Sequence, residues 1–195
     1  MKGNAAAGSI ENFLFAAMNA VSSTASTLIG QNVGKGDHRR VRRAFFTLCG
    51  TACLIAALFS GVCILLRNPL LALYGVRAGG DALGKIAYDT AITRILYKWP
   101  TFVAYAFYTA AAGTLRGLGK SSLSAAIAFV GTCIFRIVWI STVFRALVNL
   151  GSIYISYPIS WVITGGVIFI LVLHFLHKNI RNVEAATTQK MPKKI

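Results

Sequence analysis

The chain has 195 residues, 56% of them hydrophobic and only 13% charged, about half the charged share of an ordinary soluble domain. That excludes a soluble globular fold and indicates an integral membrane protein. The formal charge of +15 arises from 20 Lys and Arg against 5 acids, but the cations cluster at the ends of apolar runs. They form no continuous basic face, which excludes nucleic acid as the partner and implies the lipid bilayer.

Five segments reach the ~20 residues needed to cross about 30 Å of hydrocarbon: 5–31, 41–66, 86–115, 123–144 and 153–177. The expected fold is an all-α polytopic transmembrane helix bundle of about five spans over residues 1–178. A basic tail without fixed structure is expected over 179–195. Residues 1–7 offer one Lys and no compact apolar core, so no cleavable signal is expected.

In the first span Glu11, Asn12, Asn19, Ser22, Ser23 and Ser26 fall within an arc of about 120° on a helical wheel. Ile10, Phe13, Leu14, Ala17, Ala20, Val21, Ala25 and Leu28 occupy the opposite arc. The polar stripe should therefore face protein or a water-filled cavity. Glu11 is the only acid in the apolar part of a span, Asp89 lying on the amphipathic start of the third, and is the candidate for cation coupling, since an embedded carboxyl can take up and release a proton or a metal cation. The competing reading is a hydrated acid about 10 Å from the start of the helix. Asn12, Asn19, Ser22 and Ser26 are candidates for a substrate path, against a plain role in helix–helix hydrogen bonding worth about 0.6 kcal/mol each in membranes.

After Gly34 and Gly36, Asp37 is placed to cap the second span. Arg39, Arg40, Arg42 and Arg43 then occupy a first turn where the helix dipole disfavours cations, so membrane orientation and not helix stability accounts for them. Residues 67–85 contain Pro69, Gly75, Gly79 and Gly80 and read as a longer surface loop. The third span begins amphipathic, with Tyr88, Ile92, Ile95, Leu96 and Trp99 on one side and Asp89, Arg94 and Lys98 available to the interface. Pro100 should kink it. Beyond the kink, Tyr105 and Tyr108 are candidates to contact aromatic or cationic compounds by stacking and cation-π attraction, against simple packing.

Four further features complete the pass. Arg136 lies about 13 Å by helical rise from Arg145 at the end of the fourth span, a depth like that of Glu11, so the two are expected to share a cavity and to pair; snorkelling to the interface is the alternative. The fifth span is entered through Tyr154, Tyr157, Pro158 and Trp161, read as interfacial aromatics. Cys49, Cys53, Cys63 and Cys133 lie in apolar runs without CxxC spacing and read as small buried hydrophobes. No nucleophile–base constellation, phosphate-cradling loop or metal-ligand pattern occurs, so neither catalysis nor a metal site is expected.

Cation counting sets the orientation. With the Gly34 loop in the cytoplasm, that side holds twelve Lys and Arg and the other five, which implies an outside N-terminus and a cytoplasmic C-terminus. An odd number of spans in that orientation suggests a preceding helix.

Three segments then stand out at the ends of their spans: Leu28-Ile29-Gly30-Gln31-Asn32-Val33-Gly34-Lys35-Gly36, Leu115-Arg116-Gly117-Leu118-Gly119 and Tyr157-Pro158-Ile159-Ser160-Trp161. Their order and spacing resemble the C-terminal lobe of MATE (multidrug and toxic compound extrusion) transporters, about helices eight to twelve of twelve. The resemblance implies half of a two-lobe, cation-coupled antiporter, driven by H⁺ or Na⁺ and without any other cofactor. Such a protein exports organic, often cationic, drugs across the plasma (bacterial inner) membrane by alternating access. Gly30, Gln31, Asn32, Gly34, Arg116, Gly117 and Gly119 are then structural loop residues. The acid that many members carry on the tenth helix corresponds to Tyr105, so that site does not transfer. The first lobe and the seventh helix have no counterpart, and the expectation is a fragment, split gene product or degraded paralogue that is inactive without a missing N-terminal lobe or a full-length homologue. Two rival expectations are a lipid-linked precursor flippase of the same superfamily, which several inward-facing cations would favour, and a non-transporting membrane fragment.

Overall fold

The computed structural model describes residues 2–77, 79, 82–144 and 150–190. Among these described residues seven helices follow in order: α1 (Lys2–Gly34), α2 (His38–Leu65), α3 (Arg67–Leu73), α4 (Ala82–Lys98), α5 (Phe102–Gly117), α6 (Ser121–Val143) and α7 (Leu150–Lys190). Four of them, α1, α2, α6 and α7, are long and apolar enough to cross a membrane.

The α1–α2 reversal is built as its sequence requires. Gly36 takes a φ of 70°, in the left-handed region that only glycine enters without strain. Asp37 then accepts the Arg40 backbone N–H at 3.0 Å, capping α2. Asp37→Ala is expected to lower the unfolding free energy by about 1 kcal/mol, measurable by denaturant titration in detergent micelles.

The expected third span, 86–115, is two helices. Pro100 has no N–H to donate and its ring crowds the preceding turn, so the chain passes through a single 3-10 turn, Trp99–Thr101, between α4 and α5. The Thr101 hydroxyl donates to the Lys98 carbonyl at 2.6 Å and so satisfies one acceptor that the break exposes. α4 is too charged to be an apolar span and α5 is only about 24 Å long, so neither joins the four helices that could cross a membrane alone, against the five spans expected. The expected loop over 67–85 also proves partly helical, containing α3 and the start of α4.

α7 continues to Lys190, into the segment expected to be a structureless tail. Residues 178–190 hold Ala, Glu, Gln, Lys and Arg and neither Gly nor Pro, so local propensity sustains the helix after the apolar run ends. Residues 191–195 lie outside the described part.

Side-chain partners advance in step along α1, α4–α5 and α7, so these run parallel, whereas α2 and α6 run antiparallel to them. Glu11 meets Lys98 and Ser22 meets Thr109; Trp161 stacks on Phe102 and Phe169 lies by Phe107. α5 is the axis of the bundle, with residues 109–115 buried on every side. Its small residues make that possible: at Gly113 and Gly117 the α1 backbone comes close enough that an added Cβ would strike the carbonyl oxygens of Ser22 and Ser26. α2 and α6 turn Leu54, Leu58 and Val62, and Phe129, Val130 and Ile137, outward as an exposed apolar surface. Cys133 is exposed on that surface, a correction to its expected burial; Cys49 and Cys63 are buried and Cys53 is half-buried.

Candidate functional site

α1 buries Ala7, Ile10, Leu14, Met18, Ala25 and Ile29, the spacing of a core-facing helix stripe. Glu11 and Ser22 lie within that stripe. Glu11 is only 2% exposed, and an isolated carboxylate there would be costly. Two cations from α4 compensate it. Arg94 grips it with both prongs, Nε to Oε1 at 2.9 Å and Nη2 to Oε2 at 2.8 Å, and Lys98 Nζ donates to Oε2 at 2.5 Å. Arg94 and Lys98 stand four residues apart, hence on one helix face. Gly8 leaves room for the guanidinium, which would lie 3.3 Å from a Cβ placed there. Arg94 Nη1 also donates to the Asn4 carbonyl at 3.1 Å and to the Asn4 side-chain oxygen, which the Tyr154 hydroxyl reaches at 3.4 Å.

The expected partner of Glu11 was Arg136. The structure corrects this: Arg94 and Lys98 occupy the carboxylate, and among the described residues no acid lies within ion-pair distance of Arg136. Tyr157 connects the two regions instead. Lys98 Nζ is 4.2 Å and the Arg136 guanidinium 4.0 Å from its ring centroid. Arg136 makes one long hydrogen bond, 3.4 Å to the Ser160 hydroxyl, and its Nε–H finds no acceptor. It sits on an α-helical turn between two π-helical stretches of α6, Phe129–Ile134 and Ile140–Phe144, a local distortion common at functional positions.

Arg136, Phe15, Tyr105, Tyr108, Thr132, Tyr157 and Trp161 enclose a cleft of about 250 Å³. The aromatic walls brace one another: Phe15 meets Tyr105 edge-on at 5.0 Å, and Tyr105 lies 5.0 Å from Trp161. Tyr105 and Tyr108 are thus brought together in the cleft. Trp161 and Tyr154, expected at the membrane interface, are buried in the bundle, because α7 packs its aromatic face against α4 and α5.

The other sequence candidates separate. Ser22 is buried, donates to the Thr109 carbonyl at 2.6 Å and accepts from Arg116 Nη2 at 2.8 Å, so it ties α1 to α5. Ser26 is half-buried at the Gly117 contact, while Asn12 and Asn19 are exposed on the outer side of α1. None of these four borders the aromatic cleft. Gly30 faces the Gly117 carbonyl, Asn32 Nδ2 donates to the Leu28 carbonyl at 2.7 Å, and Gln31 and Gly34 are exposed. Gly119, at a φ of 78°, closes α5 with the Lys120 N–H on the Leu115 carbonyl at 3.1 Å. Sequence reasoning placed Arg94 and Lys98 at the interface and so missed the Glu11 partners. The available signal was a pair of cations at i, i+4 in an amphipathic helix at the depth of a lone acid.

A family model, MatE, matches residues 1–142. No curated protein matches the chain. A solved structure of an inward-facing multidrug resistance MATE family transporter of the MOP superfamily superposes with a TM-score of 0.74, over 90% of this chain and 39% of that one, at 13% identity. At that identity the likeness shows a common helical fold, and the chain spans about two fifths of the transporter's length. The family match extends over well more than half of the residues, through α1 to α6 and the Glu11–Arg94–Lys98 cluster, and the chain belongs to the MatE family.

Proposed function

We propose that this chain forms one lobe of a cation-coupled MATE-type antiporter that exports organic compounds by alternating access, and that it transports only when a second lobe completes the cleft. The observation that carries this reading is the joining of a buried carboxylate cluster to an aromatic cleft through one ring, Tyr157. A change of charge at Glu11 alters the hold on Lys98, and Lys98 and Arg136 contact the same ring. Both Glu11 oxygens are engaged by nitrogen donors, so Na⁺ would have to displace Lys98, whereas a proton can enter by exchange within the network; H⁺ is the coupling ion on this reading. The exposed Asn12, Asn19 and Ser23 along α1 would be poorly accommodated by hydrocarbon and support an opposing lobe. The arginines at the start of α2 share one end of the bundle with Arg116 and Lys120, which supports the plasma membrane with the C-terminus cytoplasmic.

The test pairs the chain with the N-terminal lobe of a MATE transporter in vesicles and follows proton-driven efflux. Glu11→Gln is expected to lower efflux by about ten-fold or more, as loss of a proton-transfer group does. Unchanged efflux removes Glu11 from coupling, and efflux by the chain alone removes the requirement for a second lobe. A lipid-linked precursor flippase is the second reading, favoured by the gathering of Arg94, Lys98 and Arg136 about one site. Translocation of a labelled lipid-linked precursor by the same vesicles, with no efflux of organic cations, would select it.

A further inference from the structure

The charges around the cleft do not balance. Among the described residues Arg94, Lys98 and Arg136 stand against one ion-paired acid, Glu11, and Glu11 is spent on the first two. Arg136 is left with one weak hydrogen bond, an Nε–H without an acceptor and no acid among the described residues within reach. A half-buried guanidinium in that condition is costly, and a bound anion would offset the cost. Its planar set of N–H donors matches carboxylate, phosphate or sulfonate oxygens. An organic cation would meet the reverse situation. It would enter a cavity walled by a free guanidinium, beside a Tyr157 ring already approached by both Arg136 and Lys98. Cation-π attraction of a ligand to that ring is therefore pre-empted, while the half-buried Phe15, Tyr105 and Tyr108 remain available to an apolar or aromatic body.

We infer that the cleft between α1, α5, α6 and α7 binds an amphipathic anion, its acidic head on Arg136 and its apolar body against Phe15, Tyr105 and Tyr108. This names the ligand class for the lobe proposed above and rests on that reading for its transport meaning, but binding can be measured whether or not the chain transports. The cleft holds about 250 Å³, below the usual range for a drug-sized ligand, so it suits the head and first ring or chain segment of a larger molecule that extends toward an opposing lobe.

The probe is 2-naphthalenesulfonate, compared with the trimethylammonium compound of the same ring, binding to the purified full chain in phosphatidylcholine nanodiscs, with empty discs subtracted. The sulfonate is expected to bind about ten-fold tighter or more, the worth of one charge-assisted hydrogen bond. Arg136→Gln should abolish the preference, Arg136→Lys should retain part of it, and Tyr105→Ala should weaken both probes alike. Thr132→Asp, which puts a carboxylate into the cleft without removing the arginine, should reverse the preference and provides a second route if Arg136→Gln folds poorly. Near-ultraviolet circular dichroism checks each fold. Equal or tighter binding of the ammonium probe overturns the inference, as does sulfonate affinity that neither Arg136→Gln nor Thr132→Asp changes. Displacement by dioctanoyl phosphatidic acid but not by benzenesulfonate assigns the anion to a lipid, and the opposite pattern to a soluble compound; both uphold the site. Displacement by neither overturns it.

Discussion

Gly113→Val is expected to leave little folded protein after extraction into detergent. α1 and α5 run parallel in direct backbone contact, and a Cβ at position 113 would collide with the Ser22 carbonyl and meet the Ala25 Cβ at 3.0 Å. The obstacle is helix backbone on one side and a neighbouring methyl on the other, so no side chain can swing away. Relief requires the helices to separate, which lengthens the Ser22–Thr109 and Arg116–Ser22 hydrogen bonds and opens voids along the buried 109–115 face of α5. Overpacking of this kind costs about 3 kcal/mol at the upper end of its usual range, a large part of the about 5–15 kcal/mol that holds a domain. Gly50→Ala is the control. Nothing lies within 4 Å of a Cβ there, and the same removal of a helical glycine should raise stability by about 0.5–1 kcal/mol. Fluorescence-detected size-exclusion after a heating series reads both. Equal melting of Gly113→Val and the parent would remove the close α1–α5 contact from the fold.

The contrast between those two glycines marks the limit of what could be read from residues alone. Hydropathy and turn chemistry are local, and they placed the four long apolar helices, the Gly36–Asp37 reversal, a bend at Pro100 and the Gly119 stop. Periodicity also found a polar stripe on α1, but periodicity gives a face without its partner. In the folded chain that stripe is divided: its Glu11 and Ser22 edge lies in the core, while Asn12, Asn19 and Ser23 face outward. The arc opposite is divided too, with Leu14 buried and Phe13 67% exposed. Glu11 meets cations 83 and 87 residues later in the chain, and nothing local encodes that pairing. A charged, amphipathic segment reads as interfacial, yet α4 packs against α1 and carries Arg94 and Lys98 to Glu11. Arg136 is half-buried, and where a carboxylate partner is expected from its depth α7 supplies a tyrosine ring.

The charge imbalance at Glu11 gives the second large effect. Glu11→Ala should cost about 3–5 kcal/mol, the usual penalty for breaking a buried pair, since it strands Lys98, 2% exposed, beside Arg94. Lys98→Met should change stability by about 1 kcal/mol or less in either direction. It removes the surplus cation and its contact with Tyr157 but leaves the two-pronged Arg94–Glu11 bridge intact. The informative quantity is the cost of Glu11→Ala in the Lys98→Met background. There only Arg94 loses its partner, and Arg94 is the more exposed of the two cations, with Asn4 still accepting from it. That cost should be smaller than in the parent by about 1.5 kcal/mol or more, a coupling of the size expected between residues sharing one network. Reversible unfolding in mixed micelles measures all four corners of the cycle. If Glu11→Ala costs the same in both backgrounds, Lys98 is not held by the carboxylate, and a proton arriving at Glu11 would have no mechanical route through Lys98 to the Tyr157 ring.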